Sequence, residues 1–125
     1  MSKLKVLYVD DELINLMLFK ANLERKYHIL TANNGLSGLE ILSDNKDITI
    51  VISDMKMPNI NGIEFIRKAK KILPTAIYYI LSGFEVTDEI QNALDDSLIR
   101  KYLKKPFNMN EISIEIEQAV GKGDH

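Results

Sequence analysis

The sequence contains no cysteine, so it can form no disulfide bond and offers no thiolate for catalysis or metal binding. No apolar run approaches the roughly 18 residues of a membrane span. The first apolar run, residues 6–9, is too short for the core of a signal peptide. The formal net charge of -2 gives no general attraction to nucleic acid or to anionic lipid. We therefore expect a soluble, cytoplasmic protein that binds neither nucleic acid nor membrane directly.

The sequence also lacks a glycine-rich loop of the kind that holds nucleotide phosphates. The segment NNGLSG has only two glycines and matches neither GxGxxG nor a loop ending in GKS or GKT. No internal repeat or low-complexity segment divides the 125 residues, which correspond to one ordinary domain. We expect this domain to cover residues 1–121, with a frayed tail or the start of a linker at residues 122–125.

The sequence does contain a regular alternation of short apolar runs and longer amphipathic segments, which predicts five βα units. Such alternation is typical of a doubly wound α/β fold, in which helices cover both faces of a parallel sheet. The continuous apolar runs ITIVIS and AIYYIL fit strands that are buried on both faces. The predicted strands are Lys5–Val9, His28–Thr31, Thr49–Ser53, Ile77–Leu81 and Lys101–Leu103.

The helices are predicted from apolar residues at near-helical spacing. The third helix is expected between Gly62 and Pro74, a weaker fourth across residues 86–97, and the fifth across Glu111–Val120. The second is marked by Leu36, Leu39 and Leu42. In the first helix, the residues predicted to lie near one face are Leu13, Leu16, Met17, Lys20 and Leu23.

Polar side chains follow four of the predicted strands. In a parallel sheet of this kind, the ligand site lies beyond the carboxyl ends of the strands. We therefore expect these side chains to gather at one edge, although they are far apart in the sequence. They are Asp10 and Asp11 after the first strand, Asp54 after the third, Ser82 after the fourth, and Lys104 and Lys105 after the fifth.

Carboxylates placed this close together need a partner. Two such charges about 4 Å apart repel by roughly 4 kcal/mol at an effective dielectric of about 20. A cation, a proton or exposure to water must offset this repulsion. Mg²⁺ prefers oxygen ligands, which Asp10, Asp11 and Asp54 can supply. A phosphoryl group could then lie between the metal and a lysine ammonium, and an aspartate can itself be the nucleophile.

Four motifs stand at these strand ends, namely YVDDE, ISDMKMPNINGIEF, LSG and LKKPF. Together and in this order they resemble the receiver domain of two-component response regulators, and the resemblance extends from about residue 3 to about residue 121. It implies a flavodoxin-like strand order of 2-1-3-4-5. It also implies a phosphorylation-controlled signalling switch that assists chemistry on itself, rather than an enzyme that turns over an external substrate.

The resemblance further implies the ligands of the metal and the site of phosphorylation. Asp54 would accept the phosphoryl group and also bind Mg²⁺. Asp11 would bind Mg²⁺ directly, and Asp10 would do so largely through water. The backbone carbonyl of Lys56 would be another ligand. The Lys56 side chain and Phe84 lie where receiver domains tune the lifetime of the phosphoryl group.

The remaining implied roles concern the switch. The hydroxyl of Ser82 would turn toward the phosphoryl group. Lys105, which directly precedes Pro106, would contact a phosphoryl oxygen. Tyr102 stands at the position of the aromatic switch residue. A histidine kinase or phosphotransfer protein would be the donor, and a downstream output protein or output domain would be the reader. A phosphorylation-dependent homodimer is left open.

Ordinary structural roles are the alternatives for these residues. Asp10 and Asp11 could cap a helix N-terminus, and Asp54 and Ser82 could belong to turns. Tyr102 could simply pack on an edge strand with its hydroxyl at the rim. The alternative function is a phosphate-independent, receiver-like binding module. An aspartyl phosphatase is disfavoured because Lys56 stands where such enzymes usually carry a second aspartate.

Overall fold

The computed structural model describes residues 3–83, 86–105 and 108–121. Phe84, Pro106 and the predicted tail at residues 122–125 lie outside these residues. No helix in the described part has the length and hydropathy of a membrane span. The elements are β1 (Lys5–Val9), α1 (Leu13–Leu23), β2 (His28–Ala32), α2 (Gly35–Asp44), β3 (Ile50–Asp54), α3 (Gly62–Ile72), β4 (Ile77–Ser82), α4 (Asp88–Asp95), β5 (Lys101–Lys104) and α5 (Met109–Ala119).

The five strands form one sheet in the order β2-β1-β3-β4-β5, and each neighbouring pair is parallel. The predicted doubly wound fold and its 2-1-3-4-5 order are therefore confirmed. The chain leaves β1 for β2 on one side and returns to place β3 on the other. The carboxyl ends of β1 and β3 are adjacent at this switch point, which is where ligand sites of such sheets form.

Alternation of side chains along the strands divides the core into two layers. The layer beneath α1 and α5 contains Tyr8 of β1, Ile52 of β3 and Tyr79 of β4. The layer beneath α2, α3 and α4 contains Val9 of β1 and Ile80 of β4. Because both faces are covered, β3 is buried along its whole length. This explains why its sequence reads as a continuous apolar run.

The buried face of α1 differs from the predicted one. Leu16 and Leu23 are buried together with Phe19, which the prediction left out. Leu13 and Met17 are 68% and 60% exposed, and Lys20 is also exposed. The segment LINLMLF has apolar residues on more than one side of the helix, so spacing alone could not identify the buried side.

Several element ends also differ from the predicted ones by one or two residues. The third strand runs one residue further than predicted, so that Asp54 is its last residue, and β4 likewise includes Ser82. Helix α4 is shorter than the predicted 86–97, since the Thr87 side chain caps it by accepting the N–H of Ile90. Helix α5 starts earlier because the Asn108 side chain caps its first turn. Side-chain caps define such starts more sharply than apolar spacing does.

The start of α3 lies directly against the end of β3. Asn61 and Glu64 form a capping box, in which each side chain accepts the other's backbone N–H. Gly62 donates its N–H to the carbonyl oxygen of Met55 at 2.8 Å. A Cβ atom on Gly62 would lie 2.3 Å from the carbonyl oxygen of Asp54. The close approach of the two backbones therefore requires glycine here.

Candidate functional site

Four strand ends bring the predicted polar side chains together at the carboxyl edge of the sheet. One carboxylate oxygen from each of Asp10, Asp11 and Asp54 lies within 4.8 Å of the others. The Lys105 ammonium nitrogen is 3.3 Å from Oδ2 of Asp10 and 3.2 Å from Oδ1 of Asp54. Asp10 and Asp54 are buried, whereas Asp11 is exposed. The cluster therefore combines two covered carboxylates with one that faces solvent.

Hydrogen bonds hold the Asp10 carboxylate in place. Its Oδ1 accepts the backbone N–H of Glu12 at 2.9 Å. Its Oδ2 accepts the hydroxyl of Tyr8 at 2.5 Å and the side-chain amide of Asn15 at 3.1 Å. Glu12 is itself the N-cap residue of α1, and its side chain makes no capping hydrogen bond. The start of α1 is thus organised around the Asp10 side chain. Asp10 therefore contributes to the helix start, as its alternative structural role implied, and also belongs to the acidic cluster.

The electrostatic balance of the cluster favours an added cation. Burial and the neighbouring Asp10 charge raise the pKa of Asp54, Lys105 opposes both, and the result is a pKa of about 6. Burial alone would lower the pKa of Lys105, but the carboxylates of Asp54 and Asp10 outweigh this effect and raise it. Three carboxylates and one ammonium leave an excess of negative charge at neutral pH. An all-oxygen donor set with such an excess suits Mg²⁺.

The paired ends of β4 and β5 place Ser82 and Lys105 beside this cluster. Ser82 is the buried last residue of β4 and lies opposite Lys104 in the β4–β5 register. Lys105 donates its backbone N–H to the carbonyl oxygen of Ser82 at 2.8 Å. Lys104 is exposed, so Lys105 is the lysine of this pair whose side chain meets the carboxylates.

Residues 6–117 match the family model of the response regulator receiver domain. The chain belongs to this family. Receiver domains are signalling domains rather than classical enzymes, and they interact with histidine kinases and output domains. They generally use Mg²⁺ at a cluster of aspartates, and the group formed by Asp10, Asp11 and Asp54 has the composition that such a site needs.

Individual relatives support the same assignment. A chemotaxis protein CheY homolog of Campylobacter jejuni is 28% identical over 124 residues, covering 96% of this chain and 95% of that protein. The hydrogenase transcriptional regulatory protein HoxA of Cupriavidus necator is 24% identical over 92% of this chain, but the chain spans only 24% of HoxA. The crystal structure of a response regulator receiver domain protein from Clostridium thermocellum is 35% identical, with a TM-score of 0.83 and 96% of each chain covered.

Two further predicted residues lie around this receiver site. Tyr102 of β5 pairs with Ile80 and is half-buried, where it packs against the core layer beneath α2, α3 and α4. Lys56 is exposed two residues after Asp54. Neither position distinguishes the predicted switch and lifetime roles from ordinary packing or exposure, so these roles remain predictions.

Two residues of the site were not predicted from the sequence. Tyr8 was included in an apolar strand, and Asn15 was included in an amphipathic helix. A signal for Tyr8 did exist, because residues two apart on a strand point to the same face and Tyr8 precedes Asp10 by two. Asn15 offered a weaker signal as a polar residue in the first turn of the helix that follows the aspartates.

Proposed function

We propose that this receiver domain accepts a phosphoryl group on Asp54 from the phosphohistidine of a histidine kinase or phosphotransfer protein, and thereby changes the surface that it offers to an output partner. The main support is the position of Lys105, whose ammonium nitrogen lies 3.2 Å from Asp54 Oδ1 beside two further carboxylates. Phosphoryl transfer needs a nucleophile, a cation and a charge-neutralising metal in this kind of proximity.

The transfer step uses Asp54 as the nucleophile. A carboxylate oxygen of Asp54 attacks phosphorus, the phosphorus–nitrogen bond of the donor breaks, and the imidazole nitrogen keeps the electron pair. Because the pKa of Asp54 is about 6, its carboxylate is mostly ionised at pH 7.5 and ready to attack. Water later attacks the phosphorus of the acyl phosphate, which returns the Asp54 carboxylate and releases inorganic phosphate.

Charge control at the site is divided among the neighbouring residues. Asp11 and Asp54 would hold Mg²⁺ directly, Asp10 would do so largely through water, and Lys56 would contribute its backbone carbonyl. When bound, the metal neutralises negative charge on the transferred oxygens. Lys105 would exchange its contact with the carboxylates for one with a phosphoryl oxygen. Its raised pKa keeps it in the ammonium form that this contact needs.

The switch would follow from new hydrogen bonds to the phosphoryl oxygens. The Ser82 hydroxyl would move toward them from the end of β4, and Tyr102 would take up the space that Ser82 leaves. The surface formed by α4, β5 and α5 would then repack for an output protein or domain. Phosphorylation shifts the populations of two states only as far as the phosphoryl group interacts differently with each.

The outer face of α1 supports a protein as the phosphodonor. Helix α1 begins two residues after Asp11, and it exposes large apolar side chains next to the acidic cluster. Exposed apolar groups in one patch are typical of a protein-binding surface. We propose that the phosphohistidine-bearing protein packs here while its histidine reaches Asp54. The side chains are Leu13, Ile14, Met17 and Leu18, which are between 49% and 70% exposed.

Intact mass spectrometry after incubation with acetyl phosphate and Mg²⁺ tests this function directly. We expect a gain of one phosphoryl group that requires Mg²⁺, is removed by hydroxylamine and is absent in Asp54→Asn. If the folded chain gained no mass, the phosphoacceptor role of Asp54 would be wrong. The protein would then be better described as a phosphate-independent binding module.

A further inference from the structure

We infer that Tyr8 is a positioning residue of the acidic site, and that its hydroxyl holds the Asp10 carboxylate in the orientation on which Mg²⁺ affinity depends. The hydroxyl donates to Asp10 Oδ2 at 2.5 Å, and both residues are fully buried. The inference rests on the proposed function only in taking this cluster as a Mg²⁺ site, and it does not require that Asp54 be phosphorylated.

Packing fixes the tyrosine ring independently of the hydrogen bond. Tyr8 is the next-to-last residue of β1, and its ring stacks on Phe19 of α1 with centroids 4.3 Å apart and planes 20° from parallel. Such an aromatic pair stabilises the packing beyond the effect of the area it buries. The ring is therefore held between the sheet and α1, which leaves its hydroxyl a fixed donor at the edge of the site.

The Asp10 carboxylate is restrained at both of its oxygens. Besides Tyr8, Oδ2 receives the amide of Asn15 at 3.1 Å and the ammonium of Lys105 at 3.3 Å, and Oδ1 receives the N–H of Glu12 at 2.9 Å. The Tyr8 contact is the shortest of these four. Rotation of the carboxylate would break several contacts at once. Mutation of residues that orient metal-binding carboxylates in this way typically lowers metal affinity 10- to 100-fold.

A buried tyrosine that binds a carboxylate can also be purely structural, and the same sheet supplies an example. Tyr79 of β4 belongs to the same core layer as Tyr8, and its hydroxyl donates to Glu115 Oε2 at 2.9 Å. Glu115 lies on α5 and is not one of the three clustered aspartates. Tyr79→Phe is therefore a matched control, because it removes the same kind of hydrogen bond without touching the acidic site.

The first test compares Mg²⁺ binding by wild type, Tyr8→Phe and Tyr79→Phe at pH 7.5, from the chemical shifts of backbone amides during a MgCl₂ titration. We expect Tyr8→Phe to weaken binding about tenfold and Tyr79→Phe to change it less than about twofold. Urea unfolding measures the stability of each variant in parallel. Affinity within twofold of wild type in Tyr8→Phe, or equal weakening in both variants, would overturn the inference.

The phosphorylation assay separates positioning from a general loss of function. With acetyl phosphate as donor, Tyr8→Phe should raise the Mg²⁺ concentration needed for half-maximal rate while leaving the rate at saturating Mg²⁺ nearly unchanged. A lower saturating rate with an unchanged half-maximal concentration would contradict the inference. If wild type bound Mg²⁺ but was never phosphorylated, the proposed function would fail while the binding comparison still decided the role of Tyr8.

A measurement on the unmodified chain covers the case in which Tyr8→Phe does not fold. The ¹³Cζ resonance of a tyrosine reports the hydrogen bond of its hydroxyl. Saturation with Mg²⁺ should move the Tyr8 resonance and leave that of Tyr79 in place. An unmoved Tyr8 resonance in a chain that binds Mg²⁺ would show that the hydroxyl is not coupled to the metal.

Discussion

Glu115 and Asp54 are both buried carboxylates, yet their surroundings act on them in opposite directions. Glu115 receives the Tyr79 hydroxyl, the Arg100 guanidinium at 3.0 Å and the Lys101 ammonium at 2.9 Å. Burial alone would raise its pKa, but these three donors outweigh burial and lower it. Asp54 has one ammonium neighbour and two carboxylate neighbours, and burial together with these carboxylates raises its pKa.

The difference separates a cluster whose charges are balanced within the chain from one with an excess of negative charge. At Glu115 two cations serve one anion, so the charge is satisfied within the chain. At the strand ends three anions share one cation, so part of the negative charge is not balanced within the cluster. An added cation could balance it. Substitution of Glu115 should therefore destabilise the protein. Substitution of Asp54 should instead remove the proposed function and stabilise the protein.

The largest expected effect is on phosphorylation in Lys105→Ala. The variant removes the ammonium that would contact the phosphoryl oxygens, and loss of one such charge-stabilising group typically slows a reaction by about 100-fold or more. Initial rates of Asp54 phosphorylation with acetyl phosphate provide the measurement. Lys104→Ala is the matched control, since Lys104 is the exposed neighbour, and it should stay within about twofold of wild type. Equal rates in the two variants would contradict the role of Lys105.

The next effect is a loss of stability in Glu115→Ala. The variant leaves the buried Tyr79 hydroxyl without its acceptor and removes the ion pairs between α5 and the start of β5. We expect about 2 kcal/mol of destabilisation, most of it from the buried hydroxyl, since Arg100 and Lys101 are half-exposed and their ion pairs contribute little. Urea unfolding at pH 7.5 measures the change.

The same carboxylate also predicts a dependence on pH. A lowered pKa in the folded state means that the stabilisation from Glu115 is fully present above its ordinary value of 4.5 and is lost as the pH falls further. The difference in stability between wild type and Glu115→Ala should therefore shrink on acidification. A difference that grew below pH 4 would contradict this account.

A third effect is the pH dependence of Mg²⁺ binding. A proton on Asp54 competes with the metal, and the pKa of this carboxyl is about 6. Between pH 7.5 and pH 5 the affinity should therefore fall about tenfold. Titrations followed by amide chemical shifts at the two pH values measure this. An affinity that did not change would mean that Asp54 is not a ligand, or that it titrates well below pH 5.

The smallest effect has the opposite sign from that of Glu115→Ala. Because the folded chain holds the Asp54 proton more tightly than the unfolded chain does, the free energy of unfolding decreases as the pH rises from about 4 to about 6. Asp54→Asn removes this cost. In Mg²⁺-free buffer at pH 7.5 it should stabilise the protein by about 1 kcal/mol, which is less than the shift alone implies because Lys105 loses a partner. At pH 4 the gain should vanish, and destabilisation at pH 7.5 would contradict the prediction.

Much of the fold was predictable because it depends on patterns that repeat along the chain. Five apolar runs separated by amphipathic segments were enough to predict the number of strands and the two helical layers. The motifs at the strand ends added the strand order. Helix α1 shows the limit of this reasoning. Its apolar residues surround much of the helix, so only contact with Tyr8 and the sheet decides that Phe19 is buried and Met17 is not.

The residues that form the site could be predicted, but the residues that hold them in position could not be identified in the same way. The aspartates, Ser82 and Lys105 could be predicted to meet because parallel strands end at a common edge. The donors that orient Asp10 were harder to predict, because the sequence signals of Tyr8 and Asn15 do not give the distances on which their hydrogen bonds depend. Tyr8 has the sequence signature of a core residue and the geometry of a hydrogen-bond donor to the site. The sequence around Glu115 likewise did not indicate its two cations, which precede it by about 15 residues.

The close approach of α3 to β3 limits which residues are tolerated beside this site. Gly62 has no functional group, but any side chain there would collide with the carbonyl oxygen of Asp54 and displace the proposed phosphoacceptor. In a library in which every position is varied and active clones are selected, substitutions at position 62 should be depleted almost as strongly as substitutions at position 54. The depletion at position 62 would extend even to alanine, the smallest substitution that adds a Cβ atom.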